Sequence, residues 1–233
     1  MRTEQVIDRL RAIADPRKVK EKSDRFGIVA DHAIGVYQSD LKKIAKEVGR
    51  NNQLALALFD TRIYEARLLC SKIYDPHALT KQLMDKWVGT FENWGICDSF
   101  CMGFFARSEH ARSKALEWSA RDAEFEKRAG FSIMASYGFA NKQATNDVFD
   151  EFLGVIEREA DDERHYVSKS INWALRNIGK RNKDLHESAT RYAEQLLNAD
   201  GRARKWVGSN AMRELAKPGL RTLDYPRTIY RAT

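Results

Sequence analysis

YEARLLCSKI, residues 64–73, opens on an aromatic residue, sets Arg67 three positions later, and then runs apolar at helical spacing. The same grammar returns in WGICDSFCMG (94–103), FEKRAGFSIM (125–134) and YVSKSINWAL (166–175), at intervals of 30, 31 and 41 residues. Arg128 and Lys169 hold the basic position of the third and fourth segments. In the second, Cys97 stands there and the acid Asp98 follows it. Further amphipathic stretches lie between them, at 77–86, 112–120 and 146–159. A recurring amphipathic helix with a second helix between each pair of copies is the pattern of stacked helix pairs. Chance similarity among amphipathic helices explains the apolar register alone, but not its agreement with the aromatic and basic positions. The sequence therefore predicts an all-α solenoid with Arg67, Asp98, Arg128 and Lys169 in a row on one concave, basic face.

The rest of the chain fits that reading. Its four prolines, Pro16, Pro76, Pro218 and Pro226, leave 17–75 and 77–217 free of the strongest helix breaker. Val6, Leu10 and Ile13 form one helical stripe, Leu41, Ile44, Ala45 and Val48 another, and Val148, Phe152, Val155 and Ile156 a third. No alternating strand pattern stands out. Breaks are predicted near 14–16, 48–52, 60–61, 74–76, 138–144, 159–163, 179–184 and 198–202, with Asp200-Gly201 read as a helix end. Residues 1–217 are expected to form a single domain, with 218–233 a C-terminal tail.

The 233 residues carry a net charge of +7 and a pI of about 9.3, which suits an anionic partner, nucleic acid first among them. The charged N-terminus holds no signal-peptide core, and the apolar run 94–106 is too short to span a bilayer. A cytoplasmic monomer without membrane association is expected. Cys70, Cys97 and Cys101 make no disulfide framework. Cys97 and Cys101 lie one helical turn apart, but no nearby His or third Cys completes a metal site, and both read as core residues. His32, His77, His110, His165 and His186 are scattered. No cofactor or metal is expected.

Asp98 is the anomaly. The stretch 87–105, WVGTFENWGICDSFCMGFF, is the most apolar part of the chain, and its nearest basic neighbours in sequence are Lys86 and Arg107. A buried carboxylate without a partner is costly. Trp94 lies four residues before it, on the same helical face. Two readings stand: a structural acid bonded to Arg128 or to a helix N-terminus, or a functional carboxylate beside an aromatic wall.

Three motifs resemble the AlkD-like DNA alkylation repair glycosylases, which are HEAT-like helical-repeat proteins. They are Trp94-Gly95-Ile96-Cys97-Asp98, the segment 117–129 carrying Trp118 and Arg128, and the segment 162–176 carrying Lys169 and Trp173. The resemblance runs from about Ile34 to Lys217, is strongest over 87–181, and is loose before that. The 218–233 tail matches nothing. It implies a HEAT-like solenoid that hydrolyses the N-glycosidic bond of N3- or N7-alkylated purines in duplex DNA, without flipping the base into a pocket. Asp98, Trp94, Arg128 and Trp173 carry over as the site. Some relatives of this fold lack the acid or the aromatic wall and are not counted as glycosylases; this sequence keeps all four.

The chemistry agrees. Glycosidic cleavage builds positive charge on the deoxyribose, which a fixed carboxylate stabilises and an aromatic face attracts. Ordinary glycoside hydrolysis uses two carboxyl groups. An alkylated purine leaves as a neutral base without a general acid, so one carboxylate suffices. Arg128 is expected to hold a phosphate and to ease the ionisation of Asp98. Gln38 and Tyr37, with Arg67, Lys169, Arg176, Lys180 and Arg181, are expected at the DNA backbone, giving binding that is largely sequence-independent and salt-sensitive. The six Lys or Arg and single acid of 164–185 support this, although a solvated face explains such a run as well. Two other functions remain open: a non-catalytic binder of damaged or branched DNA, and a helical scaffold for another protein.

Overall fold

The computed structural model describes residues 1–220, 222 and 224–226. Among them are thirteen α-helices and no strand: α1 (Thr3–Ala12), α2 (Pro16–Phe26), α3 (Gln38–Val48), α4 (Asn52–Asp60), α5 (Tyr64–Ile73), α6 (Lys81–Val88), α7 (Trp94–Cys101), α8 (Ala111–Ser119), α9 (Glu124–Ala140), α10 (Asn146–Glu159), α11 (His165–Ile178), α12 (Lys183–Asn198) and α13 (Arg202–Leu215). Each predicted break spans or adjoins a junction between helices, although α9 runs on through 138–140 to end at Ala140 and α12 already begins at Lys183. The stretch 77–86 is shifted, because Thr80 caps Leu83 N and starts α6 at Lys81. Further breaks lie at 27–37, where Gly27 and Gly35 take positive φ, and at 89–93, 102–110 and 120–123, which the hydrophobic pattern does not mark.

Odd-numbered helices stack in sequence, α3 on α5, α5 on α7, α7 on α9, α9 on α11 and α11 on α13. α8, α10 and α12 make the second layer, and α4, α8, α10 and α12 each pack on the helix that follows them. This is the solenoid of helix pairs, and the four repeated segments are successive members of one layer. Close approach is written into the sequence at Gly130, where a Cβ would lie 2.5 Å from Ser119 N on the adjoining α8. A core of aromatic rings, Phe59, Trp87, Phe91, Phe100, Phe104, Phe105 and Trp118, locks α4, α6, α7 and α8 together at centroid distances such as 5.2 Å for Phe59–Trp87 and 5.6 Å for Phe105–Trp118. Cys97 and Cys101 are buried against α9, their thiols on the Phe125 and Ala129 carbonyls.

The N-terminal segment is tied down by a buried acid. Glu65 of α5 accepts hydrogen bonds from the backbone N–H of Ile34, Gly35 and Val36, and pairs with Lys22 at 3.3 Å. Gly35 sits at φ +85°, and a Cβ there would lie 2.0 Å from Asp15 O; only glycine fits. This loop carries α2 back over the odd-numbered layer. At the other end Leu220 packs on the core and Tyr225 N donates to Arg181 O at 3.2 Å.

Candidate active site

Asn93 starts α7 by accepting from Ile96 N at 3.1 Å, and that cap fixes where Trp94 and Asp98 fall on the helix. The Asn93 amide also donates to Val29 O. Trp94 Nε1 donates to Phe26 O, the last residue of α2, at 2.8 Å. One face of the indole edge is thus pinned to the N-terminal segment, and the backbone at Gly27 comes up against the Tyr166 hydroxyl of α11.

The partner of Asp98 comes from the next helix of the stack. Arg128 of α9 donates Nε to Oδ1 at 3.0 Å and Nη2 to Oδ2 at 2.7 Å, and Ser132, one turn on, donates to Oδ1 at 3.0 Å. Arg128 Nη1 donates to Tyr166 O at 2.6 Å. The Arg128 and Asp98 side chains are only 7% and 16% exposed. Burial opposes the guanidinium charge, yet the adjacent carboxylate overrides it and holds the Arg128 pKa above its ordinary value. A carboxylate offers about four acceptor positions and a guanidinium five N–H. Oδ2 therefore keeps one acceptor position, and two of the Arg128 N–H groups remain.

Around this pair lies a cleft of about 470 Å³ bounded by Trp94, Asp98, Arg128, Lys169 and Trp173, with Arg25, Phe26 and Met102 on its N-terminal side and His165 and Tyr166 on the other. The four residues expected to form the site share one cleft, and both indoles are half-buried along it. Lys169 is exposed and has no ion-pair partner among the described residues. The Arg128–Asp98 bond meets the structural reading of the acid, and its position in the cleft meets the functional one.

Two expected DNA contacts need correction. Arg67 is buried and outside this cleft: its guanidinium donates to Glu92 at 2.8 Å and to Thr90 O at 2.8 Å, joining α5 to the turn before α7. Arg181 is 2% exposed and donates to the carbonyls of Gly138, Lys142 and Ala144 at 3.0, 2.9 and 2.8 Å, closing the end of α9 and the loop after it. Burial lowers its pKa. Neither guanidinium is free for phosphate. Lys180 is paired with Glu214 at 2.7 Å, and Arg176 is half-buried against Asn172 O at 3.4 Å. Tyr37 and Gln38 are exposed at the start of α3 and do not line the cleft; the Tyr37 hydroxyl donates to Glu21 and Lys18 lies over its ring at 4.3 Å.

Sequence reasoning missed Ser132, Arg25, Phe26 and Met102. Ser132 had a signal, being i+4 from Arg128 on one helical face. Phe26 had only a weak one, an exposed aromatic at the end of a polar helix.

The fold and the cleft define a class, a helical-repeat protein whose stacked helices carry one carboxylate between two indoles. The sequence pattern of the family described as DNA alkylation repair enzyme matches residues 6–215, and the chain belongs to that family. No curated protein matches it by sequence. It is similar to a solved structure described as a new family of proteins related to the HEAT-like repeat DNA glycosylases with affinity for branched DNA structures. The two chains are 20% identical, each is covered in full, and the TM-score is 0.76. The solenoid is accordingly a HEAT-like repeat. Among the described residues no helix is long and apolar enough to cross a membrane.

Proposed function

We propose that this protein is a DNA glycosylase that hydrolyses the N-glycosidic bond of cationic N3- or N7-alkylated purines in duplex DNA. The observation that carries the reading is the Asp98 carboxylate in a cleft walled by Trp94 and Trp173, with a cation, Lys169, exposed at its edge. The carbon–nitrogen bond breaks with its electron pair going to the purine, which leaves neutral. Positive charge then resides on the deoxyribose. Asp98 opposes that charge at short range in a poorly solvated place, and the indole faces add attraction of about 0.5–2 kcal/mol. Water adds at the sugar carbon and gives up a proton, for which the remaining acceptor position on Oδ2 is suited. Arg128 is chiefly a positioning residue: it holds both carboxylate oxygens, at 3.0 and 2.7 Å. Its two remaining N–H groups can reach a phosphate beside the lesion.

A second reading is a non-catalytic binder of damaged or branched DNA. It draws on the full engagement of Oδ1 and on the affinity ascribed to the structural neighbour. Duplexes containing N7-methylguanine or N3-methyladenine, incubated with the protein in excess, separate the two. Time-dependent appearance of free alkylated base supports the glycosylase. Tight binding with no base released would sink it and leave the binder.

A further inference from the structure

A second pocket adjoins the first. It encloses about 300 Å³ between the starts of α11 and α13 and is lined by Glu163, His165, Lys169, Arg202 and Trp206, among others. His165 and Lys169 also line the Asp98 cleft, so the two are contiguous. Trp206 is the fifth residue of α13, the position that Asp98, Arg128 and Lys169 hold on α7, α9 and α11. It is 41% exposed, on a helix whose first turns read RARKW. Neither Arg202 nor Lys169 has an ion-pair partner among the described residues. The pocket thus offers an open indole face beside two unneutralised cations.

We infer that this pocket is a subsite for an unpaired nucleotide, its base stacked on Trp206 and its phosphate held by Arg202 and Lys169. An indole face is satisfied by another π-face. Paired DNA turns phosphates and sugars outward and keeps its base faces stacked, whereas an unpaired base offers one. Glu163 is the acid among the lining residues. Its carboxylate repels phosphate but accepts from the amino group of cytosine, adenine or guanine, so it suits the edge of a stacked base. The inference rests on the DNA-binding part of the proposed function and adds a single-stranded element to it: a gap, flap or frayed end lying beyond the Asp98 cleft.

The test compares two kinds of fluorescein-labelled probe by anisotropy, a blunt duplex and the same duplex with a short single-stranded cytosine extension, carried on either strand in turn. Wild type should prefer an extended probe. Trp206→Ala should weaken binding to that probe by about 10-fold, within the range for loss of one base–aromatic stack. Blunt-duplex binding should change by less than about 2-fold, and Trp206→Phe should recover most of the loss. Thermal melting of the variants checks that the fold is intact, as expected for an exposed side chain. Equal losses on both probes, or none on either, overturn the subsite while leaving the Asp98 reading in place. A wild type that binds neither probe overturns DNA binding itself, and the subsite with it.

Discussion

Asp98→Asn removes one charge from a buried pair and leaves the shape nearly unchanged. Arg128, 7% exposed in its side chain, then lacks its counter-ion. An Asn can still accept from Nε or from Ser132, and Arg128 keeps the Tyr166 carbonyl. But the Asn amide, in place of Oδ2, meets the Nη2 donor head on. Removing one partner of a buried pair costs about 3–5 kcal/mol; the hydrogen bonds that survive bring the expected loss nearer 2–3 kcal/mol. In a chain of this size that lowers the melting temperature by about 5–10 °C. Loss of one electrostatic stabiliser of the developing sugar cation lowers the rate by on the order of 10²-fold or more. Single-turnover excision, run well below the melting temperature of the variant, separates the two effects, because the folded fraction there is nearly complete. Duplex affinity should stay level or rise, since a negative charge near phosphate has gone. Ser132→Ala is the control: it loses one hydrogen bond, about 1 kcal/mol of stability, and little activity. An Asp98→Asn protein that melts lower but excises at the wild-type rate refutes the catalytic role and leaves Asp98 purely structural.

Trp173→Leu fills space without a π-face and should slow single-turnover excision about 3- to 30-fold; an unchanged rate would remove that wall from the mechanism. Arg181→Ala removes the hydrogen bonds to the carbonyls of Gly138, Lys142 and Ala144 and should cost about 3 kcal/mol of stability, while duplex affinity of the folded variant stays at the wild-type value. A selective loss of affinity, without a change in melting, would return Arg181 to the DNA. Burial alone would raise the pKa of Glu159, Asp162, Asp85 and Glu117, but their Lys and Arg partners override it and hold all four below the usual range. Groups lowered in this way stabilise the fold above their unfolded values, near pH 4, and that stability is lost as pH falls through the folded ones. Melting temperature should be flat from about pH 7 to 5 and drop below about 4; a decline already under way at pH 6 would point to other groups.

The layer of odd-numbered helices was legible because each member repeats one pattern, and residues at equal depth in stacked helices become neighbours in space. That is why Trp94, Asp98, Arg128, Lys169 and Trp173 line one cleft. The register did not reveal which cations stay free. Arg67 is taken up by Glu92, a residue of the next turn, and Arg181 by carbonyls of a loop whose path depends on the end of α9. Nothing in either local sequence announces those partners. The part played by α2 was hidden for a different reason. None of its residues is buried, and it acts through a main-chain carbonyl, Phe26 O, held in place by Glu65 some forty residues away.

The requirement for a positively charged leaving group can be measured directly with one duplex sequence carrying either of two isomeric lesions, N7-methylguanine or O6-methylguanine. Both add a single methyl group; only the first makes the base a cation. A single carboxylate with no general acid should release N7-methylguanine in single-turnover conditions and leave O6-methylguanine in place, although both duplexes are bound. Release of both at similar rates, or of neither despite tight binding, would contradict the assignment of Asp98 as the stabiliser of a departing cation's sugar.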